Sequence, residues 1–201
     1  MPSISIEELL KEFNGDILPK LQQTPSEVNR FLLFLAWLNT KLEQSQLGRM
    51  VVVGGFAAEF YTGATYRTLD VDLVVEGSNA RQILTEFLSK ISEKPCRIYL
   101  PTFEAIASKG IDIVAESYSK PKPPVKIEVE EYSVYMESPE ELIITYLNAW
   151  KYWQSSEDRD KALALIAVLW SKVDQSYVKQ RAKEESVHDK LEEALKILEE
   201  A

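Results

Sequence analysis

Hydrophobic positions along the chain recur first at helical spacing, then alternate, then return to helical spacing. Residues 4–13 read as a short helix with Ser3 or Ser5 as N-cap. "TPSEVNRFLLFLAWLNTKLEQ" reads as a longer helix, with Thr24 as N-cap and Pro25 at its first position. Apolar residues nearly surround its middle, which predicts a buried helix. The period then shortens. "RMVVVGG" reads as a strand ending in a glycine pair, "GFAAEFYTG" as a short helix closed by Gly63, and "TLDVDLVVE" as a second strand. "NARQILTEFLSKI" is a helix presenting Ile83, Phe87, Leu88 and Ile91 on one face, followed by "CRIYL" and "GIDIVAE" as third and fourth strands. After a proline-rich spacer or hairpin arm, "SKPKPP", the stretch "PVKIEVEEYSVYM" supplies one or two more.

From Ser138 the pattern is helical to the end. "SPEELIITYLNAWKYW" opens with Ser138 as N-cap, Pro139 at the first position, and Glu140 and Glu141 in the positive first turn. "DRDKALALIAVLWSKV" follows, and a last helix carries Val187, Leu191, Leu195 and Leu198 on a narrow stripe. The expected class is α+β: a mixed sheet core with flanking helices and a helical C-terminal subdomain. The expected organisation is N-terminal helices over residues 1–45, a core over 46–137, and the helical subdomain over 138–201.

Composition narrows the chemistry. The 201 residues carry a net charge of −9, which disfavours broad polyanion binding. Residues 46–135 are nearly balanced, with 10 basic and 12 acidic residues, so a negatively charged substrate can approach the centre. Cys96 and His188 are the only cysteine and histidine, which excludes an internal disulfide, Cys/His zinc sites and Ser-His-Asp or Cys-His catalysis. Any metal is therefore expected to be a hard cation on oxygen ligands. The N-terminus lacks a signal-peptide pattern, and the longest apolar runs are short of the ~20 residues a membrane helix needs, so a cytoplasmic protein is expected.

Strand alternation makes one stretch unusual. In "LDVDLV", Asp70 and Asp72 share a face, about 6–7 Å apart at about 3.3 Å per residue. Left bare, each carboxylate raises the other's pKa; a divalent cation between them removes the conflict. The plain alternative is an edge strand with a solvated acidic face. What favours chemistry is the neighbourhood. Gly54 and Gly55 end the preceding strand at a helix start, where backbone can approach a phosphate closely and N–H groups point outward. "GIDIV" places Asp112 in an apolar strand, the preferred third carboxylate. Glu128 and Glu130 compete for that role but alternate beside several charges, as on a solvated face.

"VVGGFAAEFYTGATYRTLDVDLVV" resembles the hallmark of the DNA polymerase β-like nucleotidyltransferase superfamily. The resemblance is to its small prokaryotic members in particular, including the nucleotidyltransferase toxins of abortive-infection systems. It is strong over residues 50–75, moderate at "GIDIV", and weaker along the helical C-terminus. It implies a polymerase β-like core and a nucleotidyltransferase that moves a nucleoside monophosphate from an NTP to an acceptor: RNA, a protein side chain or a small molecule. It implies that Gly54 and Gly55 bind the nucleotide phosphates and that Asp70 and Asp72 hold two Mg²⁺ ions, with Mn²⁺ an alternative. Asp112 becomes the third ligand, able to help deprotonate the acceptor hydroxyl, and Arg67 matches a basic position that neutralises phosphate charge. A surface ion pair is the equal alternative for Arg67.

Two departures stand out. Fourteen residues separate Gly55 from Asp70, a longer loop than the family pattern. Tyr146 stands where related toxins carry a lysine, and Lys161 where they carry a second aspartate; Lys151 or Lys161 is the candidate electrostatic substitute. The alternative function is therefore a catalytically weak or inactive nucleotide-binding or protein-interaction module, as in one half of a toxin–antitoxin pair. A protein partner or homodimer is open. Trp37, Trp150, Trp153 and Trp170 are assigned to helix packing, with base stacking the alternative for Trp150 and Trp153. Tyr61 and Tyr66 flank the loop as nucleobase contacts, His188 is expected solvated, and Cys96 buried.

Overall fold

The computed structural model describes residues 4–93 and 98–200; Ser3 and Cys96 lie outside the described residues. Helix α1 (Ile6–Glu12) starts at Ser5, whose hydroxyl accepts from the Glu8 N–H while Glu8 reaches back to the Ser5 backbone. The chain then continues as a π-helical turn (Phe13–Ile17) into α2 (Leu18–Gln23) rather than ending at residue 13. Pro19 lies in the first turn of α2, just past the π-helical turn. Helix α3 (Glu27–Gln44) starts two residues later than expected. Ser26, not Thr24, caps it by accepting from Asn29 N–H, and Thr24 closes α2 by donating its hydroxyl to the Lys20 carbonyl. Arg30 reaches back to the Thr24 and Pro25 carbonyls, at 2.9 Å each, and makes that linker part of the fold.

Among the described residues the sheet holds five strands in the order β3-β2-β1-β5-β4. They are β1 (Arg49–Val53), β2 (Asp70–Glu76), β3 (Gly110–Ala115), β4 (Val125–Val129) and β5 (Tyr132–Met136). β2 runs antiparallel to β1 and parallel to β3, β1 runs parallel to β5, and β4–β5 is a hairpin. Helix α4 (Gly54–Tyr61) follows β1 directly, and α5 (Ser78–Ile91) follows β2. In α5 the buried face is Ala80, Leu84, Phe87, Leu88 and Ile91; Ile83 is only half-buried. "CRIYL" does not supply a strand among its described residues: Tyr99 forms one isolated bridge to Ile111. Pro101, two residues on, has no N–H with which to extend a ladder.

The chain divides into two compact units. The first comprises the N-terminal segment through Phe56, Thr68–Ser119 and Pro124–Met136; the second comprises Ala57–Arg67, Lys120–Pro123 and the chain from Glu137 on. The first unit's core is aromatic. Phe13, Phe34, Trp37 and Phe87 are all fully buried, and Phe13 meets each of the other three with ring centroids 5.8–5.9 Å apart. Asn39 is a polar member of that unit's interior. Wholly buried, it accepts from Met50 N–H at 2.7 Å and donates to the Ser133 carbonyl at 2.9 Å, so one side chain ties β1 to β5.

The second unit contains α6 (Pro139–Trp153), α7 (Ser156–Leu169), α8 (Gln175–Glu184) and α9 (His188–Glu199). Ser138 caps α6 as expected, and Ser155 starts α7 before the aspartates. On α9, Leu191 and Ala194 take the buried positions while Leu195 and Leu198 are half-buried. Packing is the wrong reading for Trp153, which is 84% exposed, because the buried stripe of α6 ends at Trp150. His188 is only partly exposed and bonds Glu192, the next turn of its own helix. Wholly buried Glu141 accepts from the Tyr177 hydroxyl and faces the Arg181 guanidinium at 3.4 Å. Burial, then the bond to Glu141, pushes the Tyr177 phenol up to about 12. Among the described residues no helix is long and apolar enough to cross a membrane.

Two outcomes test this packing. Asn39→Leu leaves the Met50 N–H without that partner and the Ser133 carbonyl with the Thr40 hydroxyl at 3.4 Å; at about 1–3 kcal/mol for a buried unsatisfied group, urea unfolding should show a loss of about 1–3 kcal/mol. A loss below about 0.5 kcal/mol would refute the role of Asn39 as the β1–β5 tie. For Tyr177, the native state holds its proton more tightly than the unfolded chain. Its contribution is therefore complete below pH 10 and lost as pH rises towards 12. Tyr177→Phe should remove that alkaline decline from the stability–pH curve; an unchanged slope rejects the linkage.

Candidate active site

The three aspartates belong to the first unit and to adjacent strands. In the parallel β2–β3 ladder Asp72 lies directly opposite Asp112, and Asp70 directly opposite Gly110. Directly paired residues present side chains to the same sheet face, and residues two apart on a strand do likewise. The register therefore places Asp70, Asp72 and Asp112 on one face. Val71, Leu73 and Ile111 take the other and are fully buried. Exposure is graded across the group: Asp70 is exposed, Asp72 half-buried, and Asp112 only 8% exposed. Glu128 and Glu130 are elsewhere. Glu128 is on β4, at the opposite edge of the sheet from β3, and Glu130 is in the turn after it, paired with Lys20 at 3.5 Å.

The glycine pair adjoins the same face. Antiparallel pairing sets Val53 opposite Asp72, so β1 ends beside that carboxylate and α4 begins there. Gly54 has φ +65, and a side chain on it would place Cβ 2.7 Å from Asp72 Oδ2. Both facts demand glycine. Gly55 is required for a different reason: a Cβ there would stand 2.7 Å from Thr68 Oγ1. Thr68 also accepts from Asp70 N–H at 3.4 Å, two residues along. A Cβ on Gly110, opposite Asp70, would meet Ile98 Cγ2 at 2.4 Å and Asp70 Oδ1 at 2.9 Å. Thr68 and Gly110 were not singled out from the sequence; the signals available were a hydroxyl two residues before the aspartate pair and a glycine two residues before Asp112.

Three oxygen-donor carboxylates on one face suit a hard divalent cation and no soft one. The group is not a closed cage. Among the described residues no three His, Cys, Asp or Glu side chains stand close enough to hold an ion as they are. Asp70 is the exposed member, with solvent around its carboxylate in which to turn.

The remaining nominated residues belong to the second unit. Arg67 is exposed and ends the segment Ala57–Arg67. Tyr61 donates its hydroxyl to the Glu137 carbonyl at 3.0 Å. The Tyr66 phenol is pushed up by burial and by Asp160 and Glu157. Tyr146 is buried, and the Lys161 ammonium stands 5.5 Å from its ring centroid while pairing with Glu157 at 2.6 Å and Asp158 at 3.8 Å. Lys151 is engaged by Asp189 and the Ser186 carbonyl. Of the two candidate substitutes, only Lys161 stands at the Tyr146 position.

A family model described as a nucleotidyltransferase of unknown function (DUF6036) matches residues 32–198. Among solved structures, the crystal structure of an antigenic nucleotidyltransferase-like protein from Paracoccidioides brasiliensis is similar in fold, with 16% identity and a TM-score of 0.56. The match covers 86% of this chain and 94% of that one. No curated protein matches the chain.

The glycine contacts make a coupling measurable. Gly55→Ala should destabilise by about 1–3 kcal/mol through crowding against Thr68, and Thr68→Ala should relieve part of that cost. A double-mutant cycle in thermal unfolding reads the coupling. Strict additivity would mean that Gly55 is glycine for some reason other than Thr68.

Proposed function

The chain belongs to the nucleotidyltransferases of unknown function, and on that premise we propose that it transfers a nucleoside monophosphate from an NTP to an acceptor hydroxyl with the help of Mg²⁺. One observation carries this reading: Asp70, Asp72 and Asp112 share a sheet face, with the β1–α4 glycine turn packed against Asp72. Asp70, Asp72 and Asp112 would hold Mg²⁺ or Mn²⁺, which supplies Lewis-acid stabilisation of the charge that develops on the transferring phosphoryl group.

The chain's own residues do the rest. The glycine turn lets the α4 N-terminus approach the triphosphate without a side chain in the way. Asp112, the most buried of the three, accepts the proton of the attacking hydroxyl. Most of the rate enhancement in this chemistry comes from positioning and charge stabilisation. The acceptor is RNA, a protein side chain or a small molecule. A second reading is nucleotide binding without turnover, as in a toxin–antitoxin component. It draws on Lys161, whose ammonium is shared with Glu157 and Asp158.

Purified protein incubated with each labelled NTP and Mg²⁺ or Mn²⁺ should release pyrophosphate and label an acceptor or itself. Asp70→Asn and Asp72→Asn should each lower the rate by about a hundredfold or more, as loss of a charge-stabilising group does. Nucleotide with metal should also raise thermal stability by mass action, about 2.7 kcal/mol at a hundred times Kd, and the double aspartate variant should lose that gain. A metal-dependent thermal gain without pyrophosphate release selects the non-catalytic reading; neither signal in the wild type refutes both.

A further inference from the structure

Lys109 is the most heavily buried charged side chain beside the carboxylate group. Its side chain has no solvent exposure, and it ranks among the large, fully buried residues of the first unit. Its ammonium donates to the Thr68 carbonyl at 2.5 Å, pairs with Glu27 Oε1 of α3 at 3.1 Å, and stands 5.7 Å from the Phe56 ring centroid. Burying an ammonium costs several kcal/mol unless its partners recover it, and an apolar side chain of similar length would fill the same space without that cost.

What the lysine holds suggests why it is there. The next residue, Gly110, donates its N–H to the Leu69 carbonyl at 2.8 Å. Residues 109 and 110 therefore grip the consecutive carbonyls of Thr68 and Leu69, immediately before Asp70. Gly110 is also the ladder partner of Asp70. On the other side of the same short segment, the Thr68 hydroxyl rests where a Gly55 side chain would be and accepts from Asp70 N–H. One buried cation thus connects α3, the start of β2 and the start of β3 at the point where the first carboxylate is set.

We propose that Lys109 is a positioning residue for the carboxylate site: its ammonium, held by Glu27, fixes the Thr68–Asp70 segment so that Asp70 and the Thr68 hydroxyl stand correctly beside Asp72 and the glycine turn. This rests on the metal-binding reading of the three aspartates. Lys109 acts through Thr68. Glu27 is the second half of the device, since its carboxylate faces the buried ammonium at 3.1 Å and aims it.

The test uses the whole chain and two readouts. Mn²⁺ alone is titrated into wild type, Lys109→Met and Asp70→Asn by calorimetry or electron paramagnetic resonance. Amide hydrogen exchange is followed at Gly110 and Asp70, with Val51–Val53 of β1 as internal reference. In folded Lys109→Met, Mn²⁺ affinity should fall at least about tenfold, as when a group that orients a metal ligand is removed. Exchange at Gly110 and Asp70 should quicken while the β1 amides keep their protection. Unchanged exchange at both amides with unchanged Mn²⁺ affinity overturns the proposal. If wild type binds no Mn²⁺, or Asp70→Asn binds it equally well, the metal reading fails, and the exchange comparison alone decides whether Lys109 holds the segment. Should Lys109→Met not fold, Glu27→Gln carries the comparison. The same changes at smaller amplitude support the role, and no change in either readout overturns it.

Discussion

The parallel register of β2 and β3 is the constraint on which the site depends. Asp72 opposite Asp112, with Asp70 one pleat away, gathers three like charges on one sheet face. A slip of one residue would turn Asp112 to the apolar face and bring Ile111 or Ile113 out, so the buried packing of Val71, Leu73 and Ile111 enforces the register that places the acids. The hydrophobic face of the sheet and the polar face are two consequences of one ladder.

Crowding carboxylates has a cost, and the surroundings limit it by geometry. Asp112 is nearly buried while Asp70 opens to solvent, so the group is not uniformly desolvated. Glycines occupy the positions where a Cβ would press on these acids or on their neighbours: Gly54 against Asp72, Gly110 against Ile98 and Asp70, Gly55 against Thr68. A buried lysine and its glutamate brace the segment leading to Asp70. Rigid support of this kind matters for phosphoryl and nucleotidyl chemistry, where placing groups contributes more than covalent participation.

The helical second unit rests on a different device. Glu141 is buried without an apolar substitute, and Tyr177 and Arg181 of α8 converge on it, tying α6 to α8. Nearby, Glu140 receives the Asp174 N–H and pairs with Lys122. Acids in the first turn of α6 thus serve tertiary bonds as well as the helix dipole. At position 146 a tyrosine replaces the cation expected from the resemblance, and Lys161 from α7 lies over its ring.

Much of this was legible in one dimension because it is local. Alternation in "LDVDLVV" set the shared face of Asp70 and Asp72. "VVVGG" set a strand running into a helix, and Ser138 with Pro139 set the start of α6. Periodicity and capping depend on near neighbours, so a sequence specifies them directly. Local rules failed where two neighbouring candidates competed, as with Thr24 and Ser26. Local pattern preferred Asp112 to Glu128 and Glu130; that Asp112 stands opposite Asp72 while Glu128 is at the far edge came from the strand order, which no spacing reveals. The reason for each glycine, the burial of Lys109 and the exposure of Trp153 likewise depend on what lies across from them in space. The sequence by itself determined which residues are candidates for the chemistry. Tertiary structure decided which of them meet, because strand pairing and burial join positions tens of residues apart through contacts that leave no period in the chain.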